Sequence, residues 1–426
     1  MGLLDLFPDS AAVESGELTV GRMPASALAE EFGTPLVVYC EQTLRARAQA
    51  YRESAPDAVT LYGSKAFPNG ALLALFAEAG IGADVSTLGE LEVAARAGVP
   101  AELIVVHGNN KSDEELRRAA GADAWLVVLD APDEVERAAD AGVKRVLVRV
   151  TPGIDPDTHD AIKTGHRGSK FGLPPEDALA AIGRARELGL DVQGLHVHLG
   201  SQLLDVSPAR FSVDWLAGFA AECRSELGWT PAVIDAGGGL GIRYVATDSA
   251  PSIHDFARTI VDRVGRAWAL HGLPEPRIVL EPGRSLVGEA GVTLYRVGVV
   301  KRTSETSTYV AVDGGMSDNP RPQLYEARFT ATLANRIEEA PTGVYTVCGK
   351  HCESGDVLVE RAPLAGPRRG DLLAVPATGA YTLAMASNYN AVPRPAAVLV
   401  ADGSARLIRR RETLDDLLAF ETGGSK

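Results

Sequence analysis

Between residues 58 and 281 the chain alternates between two hydrophobic patterns. Short, nearly unbroken apolar runs occur at 58–63, 82–86, 103–107, 125–130, 145–150, 192–198, 232–235 and 278–281. Runs of this kind suit strands buried on both faces, as in a parallel sheet. Between them the period changes. Segments such as Ala71-Leu72-Leu73-Ala74-Leu75-Phe76-Ala77-Glu78 and Glu90-Leu91-Glu92-Val93-Ala94-Ala95-Arg96 have the spacing of helices. Glycine follows seven such segments, at Gly80, Gly98, Gly121, Gly142, Gly189, Gly228 and Gly272, where a left-handed residue would close a helix. Strand, helix, glycine and strand, repeated to eight strands, predict an α/β fold built on a (β/α)8 barrel of the TIM type. An open doubly wound sheet is the competing arrangement, and eight units favour closure.

After residue 284 the helical period disappears. Residues 292–297, 309–312, 344–347 and 397–400 read as strands, and Asp402-Gly403 ahead of 406–408 is a hairpin signal. The expected division is a barrel over 35–283 and a β-rich, sandwich- or barrel-like domain over 284–426, joined by the N-terminal segment 1–34. The small polar tail, residues 422–426, reads as a frayed end.

Composition narrows the classes. A 46% hydrophobic content over 426 residues supports a full core, and a formal net charge of -14 argues against a nucleic-acid surface. Four cysteines (Cys40, Cys223, Cys348, Cys352) do not make a disulfide framework in so long a chain. The N-terminus lacks the basic and apolar regions of a signal peptide, and no apolar run approaches a membrane span. A reducing, cytoplasmic compartment without membrane contact is expected.

Barrel active sites lie at the carboxyl ends of the strands. Those positions carry Lys65, Asp84, His107 with Asn109, Asp130, Arg149, His196 and His198, Asp235 and Glu281. Singly each has a structural explanation: aspartates cap helices, and a histidine can be a satisfied core residue. Together they line one mouth with ionisable groups. A lysine at a strand tip can lose its charge and attack a carbonyl, forming a Schiff base. The run Asp235-Ala236-Gly237-Gly238-Gly239-Leu240-Gly241 after the seventh strand, with Glu281-Pro282-Gly283-Arg284 after the eighth, fits the recurrent phosphate site of this fold. Lysine and phosphate cradle together suggest pyridoxal phosphate, with Glu281 at the pyridine nitrogen and His198 stacked on the ring. His196-Val197-His198, with His107 and Asp235, leaves a metal-dependent hydrolase open, whereas Cys348-Gly349-Lys350-His351-Cys352 lacks the second pair of a zinc site.

The chain resembles the fold-type III pyridoxal-phosphate-dependent decarboxylases, and within them the diaminopimelate-decarboxylating branch. The resemblance rests on stretches spread nearly end to end. In the barrel these are Tyr62-Gly63-Ser64-Lys65-Ala66-Phe67, His107-Gly108-Asn109-Asn110-Lys111-Ser112, Thr164-Gly165 with Ser169-Lys170-Phe171-Gly172, and His196-Val197-His198-Leu199-Gly200-Ser201-Gln202, followed by the two loops above. Beyond it come Arg321-Pro322-Gln323-Leu324-Tyr325, Cys352-Glu353-Ser354-Gly355-Asp356 and Gly379-Ala380-Tyr381 with Asn388-Tyr389-Asn390.

The resemblance implies that Lys65 carries the cofactor covalently, supported by Asp84, with His198 over one ring face and Glu281 at the pyridine nitrogen. It implies phosphate contacts from Ser201, Gly238, Gly239 and the backbone of Gly283-Arg284, and a place for Tyr381 beside both cofactor and substrate. Cys352 is implied as the proton donor. Arg284 and Arg321 would take a distal carboxylate, Glu353 a distal ammonium, and Tyr325 would complete the pocket. Cys352 and Glu353 would reach the site of a second copy, which implies a homodimer with composite sites and an amino-acid substrate.

Two departures stand out: Gln323 where alanine is expected, and Ser86-Thr87-Leu88-Gly89 in place of a serine-glycine-glycine form. Neither is expected to touch a site contact directly. They leave open a relative acting on another amino acid in secondary metabolism. A racemase on the same barrel would need an arginine opposite the pyridine nitrogen, so Glu281 speaks against it. The presence of Lys65, Cys352 and Glu353 speaks against a catalytically inactive binding protein.

Overall fold

The computed structural model of the chain describes residue 2 and residues 4–153, 169–198, 200–305 and 307–421. Thr164-Gly165 and Leu199 of the motifs above, and the tail 422–426, lie outside the described residues. Two compact units are formed. One comprises Arg47–Ile242 and Ser249–Ser285; the other comprises Met1–Ala46, Arg243–Asp248 and Leu286–Lys426.

In the first unit all eight apolar runs become strands: Val59–Gly63, Gly82–Val85, Ile104–Val106, Leu126–Leu129, Arg145–Arg149, Asp191–His196, Val233–Asp235 and Arg277–Leu280. Each pairs in parallel with the next, and the last closes on the first, Val279 opposite Val59 and Leu280 opposite Thr60, giving a closed barrel rather than an open sheet. Val59, Leu61, Val105, Leu126, Val128, Leu147, Val233 and Val279 pack into one apolar cluster. Each such side chain withdrawn from water contributes about 1.5–3 kcal/mol.

The apolar runs extend past several strands: Ser86, His107, Asp130, His198 and Glu281 follow the last paired residue. They belong to the mouth, where His107, Asp130 and Glu281 are still buried past the last paired residue.

Local chemistry sets where the helices begin. Ser112 and Glu115 form a reciprocal capping box that starts Asp113–Gly121 immediately after Lys111, and Thr87 caps Leu88–Arg96. Of the seven expected helix-closing glycines, Gly121 is the exception. It is still helical, and Asp123 takes the left-handed position two residues later with φ 51°.

The other unit is β-rich. Its main sheet runs in the order Val357–Leu364, Gly343–Cys348, Thr308–Val312, Gly291–Arg302, Leu36–Cys40, Ala396–Ala401 and Ser404–Arg409. Gly291–Arg302 is the spine. Its first half pairs with Leu36–Cys40 on one side and Leu372–Pro376 on the other, and its second half pairs with Thr308–Val312. The Asp402-Gly403 hairpin forms, with both residues at positive φ (47° and 79°).

The sequence boundary at 34/35 differs from the compact-unit boundary at 46/47. Leu36–Cys40 lies between Gly291–Arg302 and Ala396–Ala401, and Leu36, Val38 and Cys40 join Leu18, Val292, Leu294 and Val398 in that unit's core. Among the described residues no helix is long and apolar enough to cross a membrane.

Candidate active site

The barrel brings the strand-end residues into one mouth. Lys65 sits in a single 3-10 turn, Ser64–Ala66, that follows the first strand directly, with Ser64 and Ala66 buried on either side of it. Closure places this strand beside the eighth. Gly63 N–H donates to Pro282 O at 3.0 Å, and a β-carbon on Gly63 would lie 3.4 Å from Asp84 Oδ2 and 3.5 Å from Gly283 Cα. The tips carrying Lys65, Asp84 and Gly283 are therefore neighbours.

The glycine loop after the seventh strand has no room for side chains. A β-carbon on Gly238 would stand 2.1 Å from Glu281 O, and one on Gly239 (φ +110°) would stand 2.7 Å from Gly200 O. His198 Nδ1 lies 3.5 Å from Gly238 N. Arg284 donates to Ser201 Oγ at 2.9 Å, so two of the expected phosphate-side residues are in contact.

Deeper in the mouth, Glu281 lies between two imidazoles. His107 Nε2 is 2.6 Å from its Oε1 and His196 Nε2 is 3.5 Å from its Oε2, with the two rings edge to face at 4.8 Å. Burial alone would push Glu281 up, yet His107 and His196 hold its carboxyl well below the usual range. Burial opposes a charge on His107 too, but Glu281 and Asp84 raise it. Burial lowers His196 to about 3 and, with Lys65, takes His198 well below an ordinary imidazole. Burial and the Glu281 charge raise Asp84 to about 6 and push Asp235 well above an ordinary carboxylic acid. Of these three buried acids, Glu281 is the one held below the usual carboxylate range.

Arg149 adds a buried cation beside this set and pairs with Asp130. Asp130 accepts from Gly172 N–H at 2.8 Å, and Arg149, 3.5 Å from Asp130, lies 4.6 Å above the Phe171 ring. They pin the Ser169-to-Gly172 stretch.

The metal reading paired His196 with His198, and the structure separates the two: His196 faces Glu281, whereas His198 faces Gly238 N. The donor atoms of His107, His196, Asp235 and Glu281 do lie within 4.8 Å of one another. However, His107 Nε2 and Glu281 Oε1 are only 2.6 Å apart, closer than two tetrahedral ligands at about 2 Å from one metal ion would stand.

The residues fit pyridoxal phosphate. A lysine stands at the first strand tip, a glycine loop beside the eighth strand tolerates no side chain, and one buried carboxylate is held below the usual range between two imidazoles. Ser64 Oγ, Asp84 Oδ1 and His196 Nδ1 are buried without a protein hydrogen-bond partner, as at a site that receives a polar ligand.

In the β-rich unit, Arg321 opens the short helix Arg321–Tyr325, and its buried guanidinium lies over the rings of Tyr244, Tyr325 and Tyr381 at 5.2, 5.8 and 6.0 Å. Tyr381 holds φ +58°, an uncommon conformation for a tyrosine. Cys352 and Glu353 are exposed on the turn before Val357–Leu364. Asp356 fixes this turn by accepting from His351 N–H, His351 Nδ1 and Met316 N–H at 2.9, 3.1 and 2.7 Å.

Gln323 makes its hydrogen bonds to backbone beside the Cys352 turn and not to an expected site residue. Its amide donates to Gly355 O (2.9 Å) and Val357 O (2.8 Å), tying the Arg321 helix to the Cys352 turn. Tyr244 was missed by sequence reasoning, because the segment Arg243–Asp248 has no periodic pattern and follows the glycine loop directly.

Comparison with known proteins gives the same picture. Residues 41–288 match the family described as pyridoxal-dependent decarboxylase, pyridoxal binding domain. A protein of Actinosynnema pretiosum subsp. auranticum named diaminopimelate decarboxylase is 46% identical over 423 residues, covering 98% of this chain and 95% of that one. The Bacillus subtilis protein of the same name is 41% identical, covering 96% and 97%. A crystal structure of diaminopimelate decarboxylase from M. jannaschii in co-complex with L-lysine superposes with a TM-score of 0.92 at 34% identity, covering 97% and 98%. The chain belongs to the pyridoxal-dependent decarboxylases, in the group formed by the diaminopimelate decarboxylases.

Proposed function

We propose that the protein decarboxylates meso-2,6-diaminopimelate to L-lysine and carbon dioxide, with pyridoxal 5'-phosphate as cofactor. The observation that carries this reading is the near end-to-end identity, 46% at best among the relatives above, to proteins named for that reaction. When bound, pyridoxal phosphate supplies an electron sink that accepts the pair left on the α-carbon as its bond to the carboxylate breaks.

The chain's own residues do the rest. Lys65 holds the cofactor covalently and releases it to the substrate amine. Asp84 stands beside the lysine tip, and Glu281, held ionised, keeps a proton on the ring nitrogen. His198 covers one ring face as a neutral imidazole. Gly238, Gly239, Ser201 and the Gly283-Arg284 backbone bind the phosphate. Cys352 delivers a proton from its thiol to the α-carbon after carbon dioxide leaves, and solvent restores it.

Arg284 and Arg321 select the distal carboxylate, Glu353 the distal ammonium, and Tyr325 and Tyr381 complete the pocket. The rings around Arg321 support this selection: they hold a planar fork in one orientation, which suits two-point recognition of a carboxylate.

The active form is a homodimer in which Cys352 and Glu353 serve the partner's site. Supporting it, Leu324 and Tyr325 are 59% and 62% exposed beside the turn that carries them, an apolar surface suited to a partner. A cytoplasmic location fits four cysteines that form no disulfide.

A panel of meso-diaminopimelate, lysine, ornithine, arginine and glutamate tests the specificity. Wild type should turn over only the first efficiently. Arg321→Lys should raise KM for it by about tenfold or more, because a point charge replaces a fork. Turnover of ornithine or lysine at a comparable kcat/KM, or an Arg321→Lys enzyme with unchanged KM, would defeat this assignment of the pocket.

A further inference from the structure

We infer that His107 is a positioning residue for Glu281: its buried imidazole stands 2.6 Å from one carboxylate oxygen and thereby fixes the charge and aim of the group that sets protonation at the cofactor's ring nitrogen. This rests on the reading above that Glu281 faces that nitrogen.

The geometry is specific. His107 and Glu281 approach to 2.6 Å with side chains only 8% and 4% exposed, and His196 supports the second oxygen from 3.5 Å. The next acid, Asp84, is 3.8 Å from the same imidazole nitrogen, so His107 stands between two carboxyl groups and is much closer to one. Its backbone already has a role, since His107 N–H donates to Val85 O at 2.7 Å, so the ladder does not need the imidazole.

The charged and titratable groups that act on this pair are Asp84, Arg149, His196, His198 and Asp235, with Lys65 acting in turn on Asp84 and His198 and Asp130 on Arg149. Three buried acids, Asp84, Asp235 and Glu281, compete for one low-dielectric space, and like charges this close cannot all ionise. The two imidazoles converge on Glu281, and the directions of the shifts follow: Glu281 down, Asp84 and Asp235 up, His107 up. Without His107 the negative charge would be shared among the acids, and the ring nitrogen would face a partly protonated partner.

The test compares His107→Gln, which keeps a neutral donor, and His107→Phe, which fills the space without one, with wild type and with Glu281→Gln. Each protein is stripped of cofactor, titrated with pyridoxal phosphate, and its absorption spectrum followed from pH 5.5 to 9, alongside thermal unfolding of the cofactor-free form. For His107→Phe we expect cofactor affinity to fall about tenfold or more, and the spectral transition to move by roughly one pH unit. His107→Gln should recover most of the affinity and little of the transition. Cofactor-free unfolding should weaken for His107→Phe, which removes one partner of the buried Glu281 carboxylate, and much less for His107→Gln, which keeps a donor there.

If Glu281→Gln alters the spectrum while both His107 variants match wild type, the inference about His107 is overturned and Glu281 keeps its role. If Glu281→Gln itself leaves spectrum and affinity unchanged, the placement of Glu281 at the ring nitrogen fails first. A His107→Phe protein whose affinity loss is matched by a loss of cofactor-free stability, and in which His107→Gln behaves identically, would show packing rather than positioning and also overturns the inference.

Discussion

Gly238→Ala is the substitution whose consequence the structure fixes most tightly. The added carbon would stand 2.1 Å from Glu281 O and 2.9 Å from Glu281 C, with Pro282 N at 3.6 Å. All three are backbone atoms, and Glu281 N–H is itself bonded to Gly237 O at 2.9 Å, so the wall cannot swing aside. A carbon–oxygen contact relaxes near 3.3 Å or a little beyond, so the loop must withdraw by roughly 1 Å. That movement takes the loop amides away from a phosphate. Losing one charge-assisted hydrogen bond costs about 1.5–3 kcal/mol, which is about 10- to 100-fold in the cofactor dissociation constant. The crowding itself should remove about 1–3 kcal/mol of stability.

Titrating the cofactor-free protein with pyridoxal phosphate reads the first quantity, and denaturant unfolding reads the second. Gly218→Ala is the control. It lies within the helix Ser207–Leu227, where an added carbon meets nothing within 4 Å, so it should keep wild-type affinity and gain about 0.5–1 kcal/mol. A Gly238→Ala protein with wild-type affinity and stability would refute the cradle.

Other consequences are equally open to measurement. Lys111 is buried and donates to Glu134 (3.0 Å), Gly108 O (2.7 Å) and Val128 O (2.7 Å). Lys111→Met should therefore cost about 3–5 kcal/mol, and adding Glu134→Gln should recover much of it in urea unfolding. Asp318 is pushed up to about 7, chiefly by burial, despite its contacts to Tyr295 and Gly315 N–H. A raised acid contributes stability that is full below its unfolded value and lost as pH climbs through its folded value. Asp318→Asn should thus gain on wild type by about 4 kcal/mol between pH 4 and 7. A parallel pair of stability profiles would contradict that. Gln323→Ala should loosen the Cys352 turn and speed alkylation of that thiol by iodoacetamide. An unchanged rate would leave the two hydrogen bonds of Gln323 without consequence.

How much of this could be read in advance depends on the range of the information. The eight barrel strands were legible because a parallel strand buried on both faces announces itself as an apolar run, and their tips were legible as a site because topology puts them together. Leu36–Cys40 is just as apolar, but its partner Gly291–Leu294 lies some 250 positions away, and nothing local says which sheet it joins. Val357–Leu364 hid because Glu360, Arg361 and Pro363 break its pattern, and two register shifts against Gly343–Cys348 accommodate it.

At the site, residue types could nominate Asp84, Asp235 and Glu281 together. Only the convergence of His107 and His196 decides which acid is held lowest. Gln323 looked incidental as a letter and became a brace once Gly355 and Val357 were found opposite its amide.

The central claim is most directly tested by supplying the purified protein and pyridoxal phosphate with carboxyl-labelled meso-diaminopimelate, and counting labelled carbon dioxide against L-lysine. We expect one of each per substrate consumed, with Lys65→Ala abolishing both. Consumption of substrate without gas, or with inversion of a stereocentre in place of L-lysine, would contradict it.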